Sequence, residues 1–236
     1  EQCRTLCEST GYDEISLCSL STSDYTGLQP LLTSMLKWTT EENINVALPS
    51  LRVDNFSDEL MEKLTEVRRS SLTFAPEAGT QRLRDAINKN VTYDDVMKTV
   101  NMAFSGGWTA VKLYFMIGLP TETLDDVAGI AQLGQQVVDE LYRNPDRHKG
   151  KGVQVSISAS SFVPKPFTPF QWEPQDTMEQ LEEKQKNLYE SVTTKKIRIS
   201  THLTPTSFLE GVFARGDRRL SKVLELAWKK GCKFDS

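Results

Sequence analysis

The chain has 236 residues, a formal net charge of −4 and a 38% hydrophobic fraction in discrete runs, enough for one sizeable core or two small ones. The acidic balance argues against a general binder of nucleic acid or anionic membrane, and no apolar run approaches the roughly 18 residues of a membrane span. Four cysteines (Cys3, Cys7, Cys18, Cys232) are too few for a disulfide framework, and His148 and His202 stand in no metal-ligand spacing, so a cytoplasmic setting is expected.

Residues 1–10 read as a helix stopped by Gly11. A strand is expected over 15–20, a helix over 30–38, a strand over 43–48 and a helix over 57–67 with Asp58 and Glu59 in its first turn. A strand over 71–75 precedes helices over 80–87 and 92–104, the second capped by Thr92 with Asp95 three residues on. The strongest strand is 110–117, whose V-K-L-Y-F-M-I reads as buried on both faces. A helix over 123–142 repeats the capping pattern with Thr123 and Asp126, and a strand over 153–163 follows. This alternation implies an α/β fold with a parallel sheet and crossover helices, either doubly wound or a partial TIM-type barrel.

Past Trp172 the rhythm changes. An acidic helix is expected over 177–192 with Thr177 and Gln180 as a capping box, then a short strand over 196–200. Ser207 and Glu210 form another capping pattern, and a helix over 220–230 ends at Gly231. The organisation expected is a barrel part over 1–172 and a helical C-terminal extension over 173–236.

In such folds ligands sit at the C-terminal ends of the strands. The first strand-end, S-L-S-T-S-D-Y-T-G at 19–27, offers hydroxyls and small residues to a ligand, or is an ordinary turn with a helix cap. The second, P-S-L-R-V-D at 49–54, presents Arg52 either as a carboxylate clamp or as a surface partner of Asp54. The third, F-A-P-E-A-G-T, places Glu77 where a carboxylate accepts ligand hydrogen bonds or favours a helix N-terminus. The fourth, F-M-I-G-L-P-T-E-T, makes a stiff turn at Gly118 and Pro120. Its backbone at Met116 to Gly118 can meet a planar base while Ile117 packs on the ring. The fifth, S-S-F-V-P-K-P-F-T-P-F at 160–170, reads as a rigid wall or a crossover strap.

In series these segments resemble the radical S-adenosylmethionine (radical SAM) superfamily. L-S-T-S-D-Y-T-G is similar to the segment holding the methionine end of SAM. F-A-P-E-A-G-T through N-K-N at 88–90 resembles the fourth-strand G-x-E-S-G-S pattern. F-M-I-G-L-P-T-E-T resembles the fifth-strand I-x-G-L-P-G-E-T, and F-V-P-K-P-F-T-P-F-Q-W the sixth-strand P-x-P-G-T-P. The closest resemblance is to an uncharacterised bacterial group of Fe–S oxidoreductases related to cobalamin-binding-domain radical SAM proteins. It implies strands two to six of a (β/α)6 partial barrel. The family's C-x-x-x-C-x-x-C loop does not appear. Cys3 and Cys7 have the first spacing, but Thr10 stands where the third cysteine belongs and the surroundings read as a helix.

The resemblance implies a SAM-binding core whose intact protein, with a [4Fe–4S] cluster, cleaves SAM reductively to a 5′-deoxyadenosyl radical acting on an unknown substrate. The cluster ligands are expected upstream, since the chain opens on Glu1 as an excised piece. The piece alone is expected to be inactive. An electron donor is the other implied partner. By carry-over Ser21, Thr22 and Ser23 line the methionine end, Arg52 and Glu77 make polar contacts, Met116, Ile117 and Gly118 meet the adenine, and Val163 with Pro164 its far edge. Two alternatives stand beside this. One is a non-radical barrel enzyme with Lys112 as a Schiff-base amine and Glu77 as base. The other is an RNA- or protein-binding module using Lys195, Lys196, Arg198, Arg215, Arg218, Arg219 and Lys222.

Overall fold

Threonine caps set the starts of four of the described helices. In the computed structural model, which describes residues 1–17, 25–47, 72–147 and 152–233, three capping boxes form as the spacing predicts. Thr92 caps α4 (Tyr93–Ser105), Thr123 caps α5 (Leu124–Arg143) and Thr177 caps α6 (Met178–Ser191). The first helix, α1 (Gln2–Thr10), ends at Gly11 in the left-handed conformation at φ 72°. The expectations for Cys18, Ser21, Thr22, Ser23, Arg52, His148 and the helix over 57–67 lie outside the described residues.

The strands pair in parallel throughout. A two-stranded sheet joins β1 (Glu14–Ser16) to β2 (Asn45–Ala47), with α2 (Leu28–Thr39) between them in sequence. A four-stranded sheet runs in order β3 (Leu72–Glu77), β4 (Ala110–Ile117), β5 (Gln154–Ser161) and β6 (Ile197–Thr201). The short α3 (Gln81–Ala86) and α4 link β3 to β4, α5 links β4 to β5, and α6 links β5 to β6. This β-α repetition with parallel strands is an α/β fold consistent with a partial (β/α) barrel.

One face of the large sheet is packed and the other is open. Val111, Leu113, Phe115 and Ile117 of β4 and Val155, Ile157 and Ala159 of β5 share a core with Val127, Ile130, Val137 and Leu141 of α5. The alternate residues Lys112, Tyr114 and Met116, and Ser156, Ser158 and Ser160, point to the open face and keep partial exposure. The expectation that 110–117 is buried on both faces is therefore corrected. Lys112 and Tyr114 were the sequence signal, because a polar residue at every second position marks a half-exposed strand.

The C-terminal segment contributes to the same sheet and core. Leu181 and Leu188 of α6 join the main cluster, and β6 pairs with β5 from Val155↔Ile197 to Ala159↔Thr201. The cap expected at Ser207 is absent. α7 (Thr204–Arg215) starts four residues earlier, with Leu203 at the cap position, because Pro205 occupies its first turn, and Ser207 Oγ donates to the Leu203 carbonyl. A 3₁₀ turn (Arg218–Leu220) then leads into α8 (Ser221–Lys229).

Candidate functional site

The strand ends of β3, β4 and β5 open onto a cavity of about 540 Å³. Its floor is a second apolar cluster of Ala78, Leu83, Leu119 and Phe162, with Met116, Ile87 and Phe170 against it. Phe162 and Phe170 meet edge to face at 6.2 Å between centroids. The strap after β5 is tied to α7 by the Lys165–Glu210 ion pair at 2.7 Å, which closes one side.

Glu77 stands at the rim of this cavity in an unusual conformation. It ends β3 with φ 70°, in the left-handed region that non-glycine residues avoid. The register between β3 and β4 slips between Phe74 and Glu77, which lets Pro76 sit within the strand. Such a conformation costs of order 1–3 kcal/mol, and residues that keep it cluster at functional sites. The carboxylate pairs with Lys89 at 3.3 Å, both side chains being partly exposed.

Buried Arg84 holds the loops that carry Glu77 and Lys89. Its guanidinium donates to the carbonyls of Ala78 at 2.9 Å, Gly79 at 3.4 Å and Val91 at 2.9 Å. Burial pulls its pKa below the ordinary value, against the opposing charge of Asp85. A second tie joins α3 to α5. Thr80, which caps α3, donates to Asp126, and Arg82 pairs with the same carboxylate. Asp126 also accepts from the Thr123 backbone at 2.9 Å and its hydroxyl at 2.7 Å.

Burial works against the Asp126 charge, but these hydrogen bonds outweigh it and hold its carboxyl at about 2, below the ordinary 3.8. The folded state then binds fewer protons than the unfolded one in that window. The resulting stabilisation is complete above the unfolded value and fades as pH falls towards the folded one. Urea titration should show the stability gap between wild type and Asp126→Asn narrowing by at most about 2 kcal/mol between about pH 5 and pH 2. A constant gap would show that the carboxylate charge plays no part.

The turn after β4 is held from beneath. The Gly118 N–H donates to Glu122 Oε2 at 2.6 Å, and Lys184 of α6 bridges Glu122 at 3.0 Å and Asp176 at 2.7 Å. Glu122 is almost fully buried, and its Oε1 has no partner among the described residues. Burial raises its pKa, with the Gly118 N–H and Lys184 acting in the opposite sense.

Of the residues singled out from sequence, the cavity brings together Glu77, Met116 and Val163. Ile117 lies in the helix-side core, so it faces away from any ring bound over Met116. Gly118 has spent its N–H on Glu122, and Pro164 is buried outside the lining. Lys112 and Glu77 line separate cavities, so the Schiff-base arrangement is not assembled. Among the basic C-terminal residues, Lys196 stacks on Tyr142 at 4.0 Å, Arg219 pairs with Asp217 at 2.8 Å, and Arg215 donates to the Gln171 carbonyl. Residues not singled out are Lys89, His202 and Ser161, whose buried hydroxyl lines the cavity without a partner among the described residues. In V-S-I-S-A-S-S of β5 the available signal for Ser161 was the break in alternation, a serine where Val155, Ile157 and Ala159 set an apolar phase.

The model of the radical SAM superfamily matches residues 1–134. The chain belongs to the radical SAM superfamily. It is 32% identical over 215 residues to MJ0966, an uncharacterized protein of Methanocaldococcus jannaschii, covering 90% of this chain and 44% of that protein. Its fold is similar to that of Elp3 from the archaeon Methanocaldococcus infernus with residues 1–46 deleted. There the TM-score is 0.58 at 12% identity, over 98% of this chain and 58% of the other. The chain thus spans about half the length of these relatives.

Radical SAM membership implies SAM and a [4Fe–4S] cluster. The strand-end cavity fits SAM. Its volume lies within the roughly 300–1,000 Å³ of small-molecule sites, and it combines an apolar floor with a carboxylate and an orphaned buried hydroxyl. The cluster finds no fit among the described residues, where no three of His, Cys, Asp and Glu are placed to hold a metal. Cys7 is buried and Cys3 packs against the main core from the same helix. No helix of the described residues is long and apolar enough to cross a membrane.

Proposed function

We propose that this chain is the SAM-binding part of a radical SAM enzyme, with SAM seated in the strand-end cavity and the cluster ligands supplied by residues outside those described. The observation that carries this reading is Glu77, held in a strained left-handed conformation at the rim of the cavity. With SAM held by Glu77, Met116, Ser161 and Val163, one electron from a reduced cluster would cleave it with release of methionine and so supply radical hydrogen abstraction from a substrate.

The chain's own residues bind and shield. Glu77 accepts hydrogen bonds from ligand hydroxyl or amino groups, exchanging Lys89 for them. Met116 and Val163 pack against the base, and Ser161 gives its unpartnered hydroxyl to a polar atom of the ligand. The Phe162–Phe170 pair and the strap after β5 keep water from the reacting end. The finer affiliation to cobalamin-related Fe–S oxidoreductases is supported by the four motif segments alone.

SAM titration into the intact, cluster-loaded protein tests this. Glu77→Ala should weaken SAM binding by roughly 10- to 150-fold, the loss of one charge-assisted hydrogen bond. Glu77→Gly removes the backbone strain, so it should melt no lower than Glu77→Ala while binding SAM equally poorly. Wild-type affinity in both variants would remove Glu77 from the site.

A further inference from the structure

A second cavity, of about 290 Å³, lies on the open face of the large sheet. It is lined by Lys112 of β4, Ser156 and Ser158 of β5, and Arg198 and Ser200 of β6. The register sets Lys112 opposite Ser156 and Ser156 opposite Arg198, so two cations flank a hydroxyl in one row. At about 4.8 Å between strands their Cα atoms are roughly 10 Å apart, a gap that both long side chains can close above Ser156. The next row on the same face is Tyr114, Ser158 and Ser200.

Among the described residues no carboxylate lines this cavity. Among the described residues neither Lys112 nor Arg198 pairs with an acid, and the Lys112 ammonium instead lies 4.7 Å from the Tyr114 ring centroid. Two cations that flank one hydroxyl on a rigid sheet repel, and an anion between them relieves the repulsion. The guanidinium offers a fork, the ammonium a point charge and the serines three hydroxyl donors. A carboxylate, with two oxygens in one plane, leaves part of that set unused. A tetrahedral oxyanion uses it from several sides.

We infer that Lys112 and Arg198, with Ser156, Ser158 and Ser200, bind the phosphate group of a phosphorylated substrate. Calling that ligand the substrate rests on the radical SAM reading; the anion site itself does not. Lys112 and Met116 are four residues apart on one face of β4, about 13 Å at 3.3 Å per residue, while Ser158 of the phosphate site and Ser160 of the strand-end cavity are two apart on β5, about 7 Å, so the two cavities follow one another along the open face. The substrate class is therefore a phosphate ester lying along the open face beside Tyr114, anchored at its phosphate and reacting at its other end.

Equilibrium dialysis of inorganic phosphate against the intact protein at low ionic strength tests this. Saturable binding is expected, and Lys112→Met and Arg198→Met should each weaken it about tenfold or more. Lys195→Met, at an exposed cation three residues before Arg198 and outside the cavity, should leave it unchanged. Acetate at equal concentration should displace little phosphate. Unsaturable binding, equal loss in Lys195→Met, or ready displacement by acetate would overturn the proposal. Melting curves of both variants verify their folding, and SAM titration runs in parallel. A protein that binds SAM but no phosphate loses this site alone. One that binds phosphate but no SAM keeps the site and loses the radical reading.

Discussion

Replacing Gly79 by alanine should cost about 3 kcal/mol or more, the upper range for overpacking a tight contact. Gly79 lies between Glu77 and the cap of α3, and it rests directly on the backbone of α5. A Cβ there would come within 2.5 Å of the Asp126 carbonyl oxygen and the Gly129 carbonyl carbon, and closer still to the Ile130 nitrogen. All three are backbone atoms of one helix, so no side chain can swing aside. The strain has to push the loop off the helix, which also moves Glu77 and breaks the ties of Thr80 and Arg82 to Asp126. At roughly 2–4 °C per kcal/mol for a chain of this size, the melting temperature should fall by about 6–12 °C. The facing residue gives the control. A Cβ on Gly129 meets first the Thr80 methyl at 2.8 Å, and backbone only at 3.2 Å, so Gly129→Ala should cost less. Equal melting temperatures for wild type and Gly79→Ala, or the reverse order of the two variants, would show that the loop is not seated as described.

Lys184→Met is the second large effect. It strands the buried Glu122 carboxylate, which has Oε1 without a partner already, and leaves Asp176 unpaired. Removing one partner of a buried pair typically costs about 3–5 kcal/mol. The sign with pH follows from Glu122. Burial lifts its carboxyl above the ordinary 4.5, so the folded state holds that proton more readily than the unfolded state does. That favours folding at low pH and is lost as pH rises through the raised value. Without Lys184, which acts to lower that value, the penalty should be small near about pH 4, where Glu122 is neutral, and full near about pH 8. Glu122→Gln combined with Lys184→Met should recover most of the loss, because a neutral amide still accepts from the Gly118 N–H. Chemical unfolding of wild type and the two variants at both pH values checks this, and a cost independent of pH would mean that charge burial is not its source.

The two effects bear on the site from opposite sides. Gly79 lets the loop after β3 seat on α5, and the Glu122–Lys184 pair braces the turn after β4. Together they position the rim where Glu77 and Met116 face the same cavity. Neither Gly79 nor Lys184 touches that cavity, yet both substitutions should reach SAM binding through the loops.

Much of this architecture is written locally. The capping boxes at Thr92, Thr123 and Thr177, the stop at Gly11 and the strand over 110–117 all depend on residues within a few positions of one another, so the chain states them openly. The same holds for the motif segments that mark the superfamily, because each is a short strand-end with its own turn chemistry. Where a local signal misled, another local feature overrode it. Pro205 starts α7 ahead of Ser207, and the slipped register carries β3 through Pro76 to Glu77.

What the sequence by itself determined, then, is the order of elements, their caps and which strand ends carry chemistry, since these arise from contacts three or four residues apart. Only the tertiary structure decided which side of β4 faces the cavity, and so chose Met116 over Ile117. It alone set Glu77 in a left-handed turn against Lys89, put Gly79 on the backbone of α5, and brought Lys112 and Arg198 into one row from strands 86 positions apart. Each of these depends on parallel strands meeting in a particular register. That register follows from how α5 and α6 bury their apolar faces on the sheet, an outcome of the whole packed core that no single window of the chain contains.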